Sequence, residues 1–252
     1  MINYERLAQA IVDWMRTYLG STGLRGFVVG LSGGVDSAVT TALAVRAVGT
    51  ENTHAVLMPC HSQPEDAYYA GLLARALHLR TQTIDLTTVC DALEAVLPDG
   101  PRLARANLRP RLRMTVLYYI AQTNHGLVAG TGNKPEMMVG YFTKYGDGGV
   151  DLEPLGALYK HEVRELARVL GVPQPIIDRA PTAGLWPGQT DEGELGITYD
   201  ELDAILDALD RGASASVPED VLHRVKRMIA GSAHKRALPP MFPVDRHNSR
   251  GW

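Results

Sequence analysis

Gly26-Phe27-Val28-Val29-Gly30-Leu31 runs directly into Ser32-Gly33-Gly34-Val35-Asp36-Ser37, and that junction decides how the rest of the chain is read. A short apolar run bounded by glycines has the length and composition of a buried strand. Asp36 to Val48 then carries Ala38, Val39, Ala42, Leu43 and Val45 at helical spacing, so the order is strand, tight loop, helix. The order recurs. His54 to Met58 reads as a second strand stopped by Pro59, Glu65 to Leu77 as a helix, Thr81 to Ile84 as a third strand, and Thr87 to Leu97 as another helix. Strands alternating with helices imply βαβ units. The expected fold class is α/β: an open, doubly wound parallel sheet with helices on both faces.

On the amino-terminal side, Met1 to Leu19 spaces Leu7, Ala10, Ile11, Trp14 and Tyr18 as an amphipathic helix, with charges that a signal peptide would lack. On the other side, Asp99-Gly100-Pro101 breaks the chain. A basic stretch leads to a helix over Asn107 to Gln122, where Pro110 is tolerated in the first turn. Gly126 to Gly130 is a further buried strand. Tyr141 to Gly156 has no helical period and reads as a long irregular segment with a working role. Tyr159 to Leu170 is helix, stopped by Gly171. Pro181 to Gly196 is irregular again, and helices follow at Tyr199 to Leu209 and Pro218 to Ala230. The expectation is a single domain over residues 1–252, with a helical C-terminal part over about 198–240.

The chain has 252 residues, 45% hydrophobic and 21% charged, enough apolar material to exclude disorder as the main state. Twenty-five Lys and Arg against 28 Asp and Glu leave a net charge of −3, which argues against holding nucleic acid by bulk charge. Cys60 and Cys90 form no metal-binding or disulfide pattern, so a reducing, cytoplasmic setting is expected. Nothing approaches the length of a membrane span.

The loop at residues 30–37 (Gly30, Leu31, Ser32, Gly33, Gly34, Val35, Asp36, Ser37) sits at the carboxyl edge of a parallel strand, where open α/β folds bind ligands. Its glycines let backbone N–H groups approach a phosphate, its serines add hydroxyl donors, and the helix start adds partial positive charge. It lacks the Gly-Lys-Ser/Thr ending of a Walker A loop and is not G-x-G-x-x-G. Ser32-Gly33-Gly34-Val35-Asp36-Ser37 resembles the pyrophosphate loop of the ATP pyrophosphatases, which adenylate a substrate at the α-phosphate of ATP and release pyrophosphate. Thr131-Gly132-Asn133-Lys134-Pro135-Glu136, Phe142 to Asp151, Leu185 to Glu192, Asn107 to Met114 and His234-Lys235-Arg236 are similar to segments of the NAD synthetases. The resemblance runs from the first helix to about Pro240. It implies an adenine nucleotide alpha hydrolase-like fold and a carbon–nitrogen ligase. That ligase amidates nicotinic acid adenine dinucleotide to NAD through an acyl-adenylate, with ammonia as nitrogen donor and AMP and pyrophosphate as products. Pro110 stands before Arg111 where the family leads one to expect Ala, and Pro135 where one expects Ser or Ala.

The resemblance also assigns roles. Residues 30–37, Thr131, Lys160 and Thr182 match ATP contacts. Asp36 and Glu136 match ligands of Mg²⁺, which binds through one or two carboxylates plus substrate phosphates. Arg111, Lys144, Asp151, His234 and Lys235 match contacts to the acid dinucleotide. Read without the family, Asp36 is a helix N-cap, Glu136 a first-turn acid, Thr131 a turn residue, Lys160 a solvated lysine, and His234 a surface histidine. Gln189-Thr190-Asp191-Glu192, within the segment 181–196, looks like the family's mobile flap, which would keep water from the acyl-adenylate.

Two other functions fit the loop. A tRNA thiolase needs reactive paired cysteines that Cys60 and Cys90 do not supply. A nucleotide-binding regulator would bind ATP without releasing pyrophosphate. The family resemblance further implies a homodimer with the acid-dinucleotide site at the subunit interface. Glutamine-dependent members carry a glutaminase domain with its own cysteine ahead of the loop. Ser32 lies close to the start and both cysteines fall inside the synthetase-like region, so free ammonia is the expected nitrogen source. A separate glutaminase partner stays compatible with that.

Overall fold

The computed structural model describes residues 2–182, 184, 186, 188–213 and 217–244. Four strands, β1 (Gly26–Gly30), β2 (Thr53–Leu57), β3 (Thr81–Thr83) and β4 (Gly126–Val128), pair in parallel in the spatial order β3-β2-β1-β4. The chain therefore works outward from β1 in one direction and returns later to its other side. That reversal opens a crevice beyond the carboxyl ends of β1 and β4.

The period-two alternation of the strands builds two cores. Phe27, Val29, Ala55, Leu127 and Ala129 face one side. There they pack under α1 (Tyr4–Thr22), α2 (Val35–Val48) and α3 (Pro64–Ala76). Val28, Val56 and Val128 face the other side. They meet α4 (Thr87–Val96), the chain then passing through α5 (Arg102–Ala106) into α6 (Leu108–Thr123), which also covers this face. Each fully buried side chain of the size of Phe27 or Leu43 contributes about 1.5–3 kcal/mol. Helices lie on both faces, as the sequence pattern predicts. Beyond β4 come α7 (Lys134–Val139), α8 (Lys160–Val169) and α9 (Gln174–Ile177), then α10 (Asp191–Leu195), α11 (Tyr199–Asp210) and α12 (Glu219–Gly231). α8 and α9 join the first core. α7, α10, α11 and α12 enclose a third core around Val139, Leu195, Leu202, Ile205, Leu206 and Val225.

The long helices and the strands fall where the hydrophobic spacing puts them, with ends shifted by a few residues. α1 starts at Tyr4 because the Asn3 side chain accepts from Arg6 N, and it stops at Gly23, whose φ is 72°. The short helices α5, α9 and α10 have no counterpart in the sequence reading, which gives α7 only as the first turn that holds Glu136. α10 corrects the reading of 181–196 as wholly irregular: Thr190 caps it by accepting from Gly193 N. Ala183, Leu185 and Pro187 of that segment lie outside the described residues, as do Ser214, Ala215, Ser216 and residues 245–252 at the end of the expected 1–252 domain. Residues 141–156 are irregular as expected.

The sheet's two edges end differently. β3 is three polar, exposed residues. Beside β4, Val128 N donates to Asp151 Oδ2 at 2.8 Å, Asp151 N donates to Val128 O at 2.9 Å, and Gly130 N donates to Leu152 O at 2.8 Å. A single parallel bridge joins Ala129 and Leu152 there. Among the described residues no helix is long and apolar enough to cross a membrane.

Candidate active site at the sheet switch point

A cavity of about 1060 Å³ opens at the carboxyl edge of the sheet, and all of residues 30–37 except Gly33 line it. The loop is held by its own serines. Ser32 Oγ and Ser37 Oγ lie 3.1 Å apart, Gly34 N donates to Ser32 Oγ at 3.3 Å, and Ser37 Oγ donates to Gly34 O at 2.9 Å. The N-cap of α2 is Gly34, not Asp36, and a glycine brings no side chain to the first amides of the helix. Those amides and the helix dipole are what an anion requires. Gly33 has a different task. Its φ is +84°, and a Cβ there would lie 2.5 Å from Asp66 O, so this glycine lets the loop press against α3.

Beside the loop, three elements bring charge together. Lys160, the first residue of α8, is 1% exposed; its Nζ donates to Asp36 Oδ2 at 2.6 Å and to Glu136 Oε1 at 3.3 Å. It is not a solvated lysine. Burial pulls its pKa down, but Asp36 and Glu136 outweigh that and hold the ammonium charged. Glu136 feels burial most strongly and, despite Lys160, its carboxyl is pushed up to about 7. Asn133 joins the two acids, donating from Nδ2 to Asp36 Oδ1 at 3.0 Å and to Glu136 Oε1 at 2.7 Å. Asn133 and Glu136 also close a capping box at the start of α7, so the first-turn reading of Glu136 is true alongside its place in the cluster. Pro135 falls within the first two residues of α7 and Pro110 within the first turn of α6, where the missing N–H does no harm.

Thr131 and Thr182 line the cavity, Thr182 Oγ1 donating to Gln189 O at 2.8 Å. Arg111, Lys144, His234 and Lys235 line it as well. Lys144 Nζ donates to His234 O and Lys235 Nζ donates to Gly140 O and Phe142 O, each at 2.7 Å. Burial lowers the Lys235 pKa. Asp151 stands apart from the lining: its carboxylate accepts from Val128 N and, at 3.0 Å, from the Tyr118 hydroxyl. Among the described residues no group of three or more His, Cys, Asp or Glu could hold a metal ion.

The family profile described as NAD synthase matches residues 7–239. The chain belongs to the NAD synthase family. An NH(3)-dependent NAD(+) synthetase from Archaeoglobus fulgidus is 47% identical over 245 residues, covering 96% of this chain and 98% of its own. Among solved structures, NMN synthetase from Francisella tularensis aligns with a TM-score of 0.87 at 39% identity, covering 96% of this chain and 100% of that one. NH3-dependent NAD synthetase from Campylobacter jejuni aligns with a TM-score of 0.84 at 27% identity, with the same coverage. The doubly wound, adenine nucleotide alpha hydrolase-like fold expected for the NAD synthase family is the one described above.

Several polar groups around the NAD synthase cluster were not singled out from sequence. Asn133, two residues past Thr131, is betrayed by its Asn-x-x-Glu capping spacing. Tyr141, Glu194, Tyr199 and Asp203 carry no such signal: only in the folded chain does Tyr199 meet Glu136, Tyr141 meet Asp191 and Glu194, and Asp203 meet Lys160. Asp203 on α11 caps α8, accepting from Lys160 N at 3.2 Å and His161 N at 3.1 Å, and so fixes the backbone of Lys160. Glu153 accepts from Gly132 N at 3.0 Å, and burial pushes its carboxyl up to about 8.

Proposed function

We propose that this chain converts nicotinic acid adenine dinucleotide to NAD in two steps at one site, with ATP as co-substrate and ammonia as nitrogen donor. The observation that carries the reading is the buried Lys160 between Asp36 and Glu136, at the edge of a serine-glycine loop whose helix has a glycine at its N-cap. In the first step a carboxylate oxygen of the acid attacks the α-phosphorus of ATP, the bond to the β-phosphate oxygen breaks, and pyrophosphate leaves. Residues 30–37 and Thr131 cradle the phosphates. Lys160 meets the negative charge that develops there, a fixed cation buried between Asp36 and Glu136. Thr182 contributes a hydroxyl from the segment 181–196.

Asp36 and Glu136 offer hard oxygen donors, line the same cavity as the phosphate loop, and fit Mg²⁺ completed by phosphate and water oxygens. Bound there, Mg²⁺ would neutralise phosphate charge and align the reacting oxygens. In the second step ammonia attacks the acyl carbon, AMP leaves and one proton is released. Arg111, Lys144, His234 and Lys235 form the basic wall for the acid dinucleotide, and Asp151 is assigned to the same substrate through a second copy of the chain. Exposed Trp14 and Tyr18, the latter bonded to Asp151 O, support a homodimer through that side of α1. Residues 181–196 are read as the flap over the acyl-adenylate, and 1–252 as one synthetase unit working in the cytoplasm. A separate glutaminase partner could feed it ammonia.

A second acid, nicotinic acid mononucleotide, is favoured by the likeness to an NMN synthetase. Purified protein with ATP, Mg²⁺ and ammonium is offered each acid in turn, and amide and pyrophosphate are measured. The dinucleotide reading requires the higher kcat/KM with nicotinic acid adenine dinucleotide; pyrophosphate with neither acid would overturn the ligase reading. Ammonium-free glutamine should give no NAD.

A further inference from the structure

The hydroxyl of Tyr199 stands between two acids from distant parts of the chain. It lies 2.9 Å from Glu136 Oε1 on α7 and 3.1 Å from Asp191 Oδ2 on α10. Tyr199 is fully buried at the start of α11, so water shares neither contact. Its ring lies 4.6 Å from Lys160 Nζ. The other oxygen of Asp191 faces Tyr141 Oη at 3.2 Å, and that hydroxyl donates to Glu194 Oε2 at 2.6 Å, where Gln189 Nε2 also donates at 2.7 Å. A chain of close polar contacts therefore runs from Glu136, through one hydroxyl, into the segment 181–196; the single Tyr199 proton is donated to one acid at a time, and the other acid closes its contact by donating a proton of its own. A tyrosine buried only for packing needs one partner for its O–H. This one meets two carboxylates and a cation.

We propose that Tyr199 is a positioning residue: its hydroxyl holds the Glu136 carboxylate in its working orientation and makes that orientation depend on where α10 sits. The proposal rests on the reading of Glu136 and Lys160 given above. Glu136 Oε1 takes three donors, from Asn133, Lys160 and Tyr199. Asn133 joins Glu136 to Asp36 on α2, and Lys160 joins it to α8; Tyr199 joins it to α10, because its hydroxyl also touches Asp191. Glu136 is thereby tied to the segment 181–196, which lies more than 40 residues further along the chain.

Tyr199→Phe keeps the ring against Lys160 and removes the hydroxyl. Wild type is assayed beside it, and a wild type that makes no amide would refute the site reading and not this one. The variant should keep its melting temperature within a few degrees. Its turnover should fall about tenfold or more, as expected for loss of a hydrogen bond to a charged group. Its half-activating Mg²⁺ concentration should rise, while KM for the acid dinucleotide stays within about twofold. Without any ligand, amide hydrogen exchange should quicken in both 133–139 and 189–196. Asp191→Asn should raise the Mg²⁺ requirement in wild type and add little in the Tyr199→Phe background, since both changes break one link. Wild-type turnover and Mg²⁺ requirement in Tyr199→Phe would overturn the proposal, as would exchange that quickens in only one segment or fully additive substitutions. If Tyr199→Phe does not fold, Asp191→Asn alone carries the test. It must quicken exchange at 133–139, to which its own side chain makes no direct bond, and unchanged exchange there overturns the coupling.

Discussion

Replacing Lys160 with Met removes the cation and leaves a side chain of similar length between Asp36 and Glu136, which sit 2.6 and 3.3 Å from the ammonium and are themselves largely buried. Breaking a buried ion pair from one side costs about 3–5 kcal/mol when the remaining charge cannot be relieved. Here Glu136 can relieve it by taking a proton. Its carboxyl already stands at about 7 against an ordinary 4.5, a difference worth roughly 3 kcal/mol. A carboxyl whose folded pKa is raised stabilises the fold fully below its unfolded pKa, and that contribution is lost as pH rises through the folded value. In wild type the loss falls between about 4.5 and about 7. In Lys160→Met the folded value rises further, so the loss continues above 7. Urea denaturation at about pH 8 should therefore find the variant roughly 3 kcal/mol or more less stable than wild type, with the gap at least halved at about pH 5. Pyrophosphate release should fall about a hundredfold or more at either pH. A stability gap that does not change between the two conditions would refute the argument, because it would mean that Glu136 does not respond to Lys160.

Gly33→Ala should lower stability by about 2 kcal/mol or more and weaken ATP binding, because the methyl group meets Asp66 O at 2.5 Å and the residue must keep φ near +84°; thermal melts and calorimetric titration with ATP measure both. Glu153→Gln keeps an acceptor for Gly132 N and removes the ionisation. Since the Glu153 carboxyl stands at about 8, wild type should lose stability as pH rises from about 4.5 through 8, and the variant should show a flatter profile with its advantage above that range. Arg111→Ala should raise KM for the acid dinucleotide several-fold with kcat and KM for ATP little changed, as expected for a contact made equally in ground and transition states. A fall in kcat alone would move Arg111 to the ATP side.

The fold was legible because its signals are local. Each long helix and each strand carries its own period, and the run from Gly26 to Ser37 states strand, loop and helix within twelve residues. The helices that the spacing does not reveal, α5, α9 and α10, have four or five residues, too few for a 3.6-residue period to declare itself. The site was legible in proportion to its dependence on motif. Asp36, Glu136 and Lys160 came from family resemblance, and the structure brings their charged groups together. Tyr199 reads in sequence as one more apolar position on an amphipathic helix, and Asp203 as a polar one. Glu136, which Tyr199 meets, and Lys160, which Asp203 meets, lie more than 40 residues away, so no window of sequence contains either contact. The surface reading of Lys160 failed because two acids, 124 and 24 residues away, compensate its burial.

The edge of the sheet beside β4 bears on how this protein behaves at high concentration. An open strand edge offers unpaired N–H and C=O groups to any neighbouring molecule, and that invitation is a common start of aggregation. Here the Asp151 carboxylate takes the N–H of Val128 in place of a strand carbonyl, and its own amide answers the Val128 carbonyl. On the far side, β3 is so short and polar that it gives an incoming strand little to grip. Strand-to-strand self-association is thereby discouraged at both ends of the sheet, and at the β4 end one aspartate side chain stands where a neighbouring strand's carbonyl would dock.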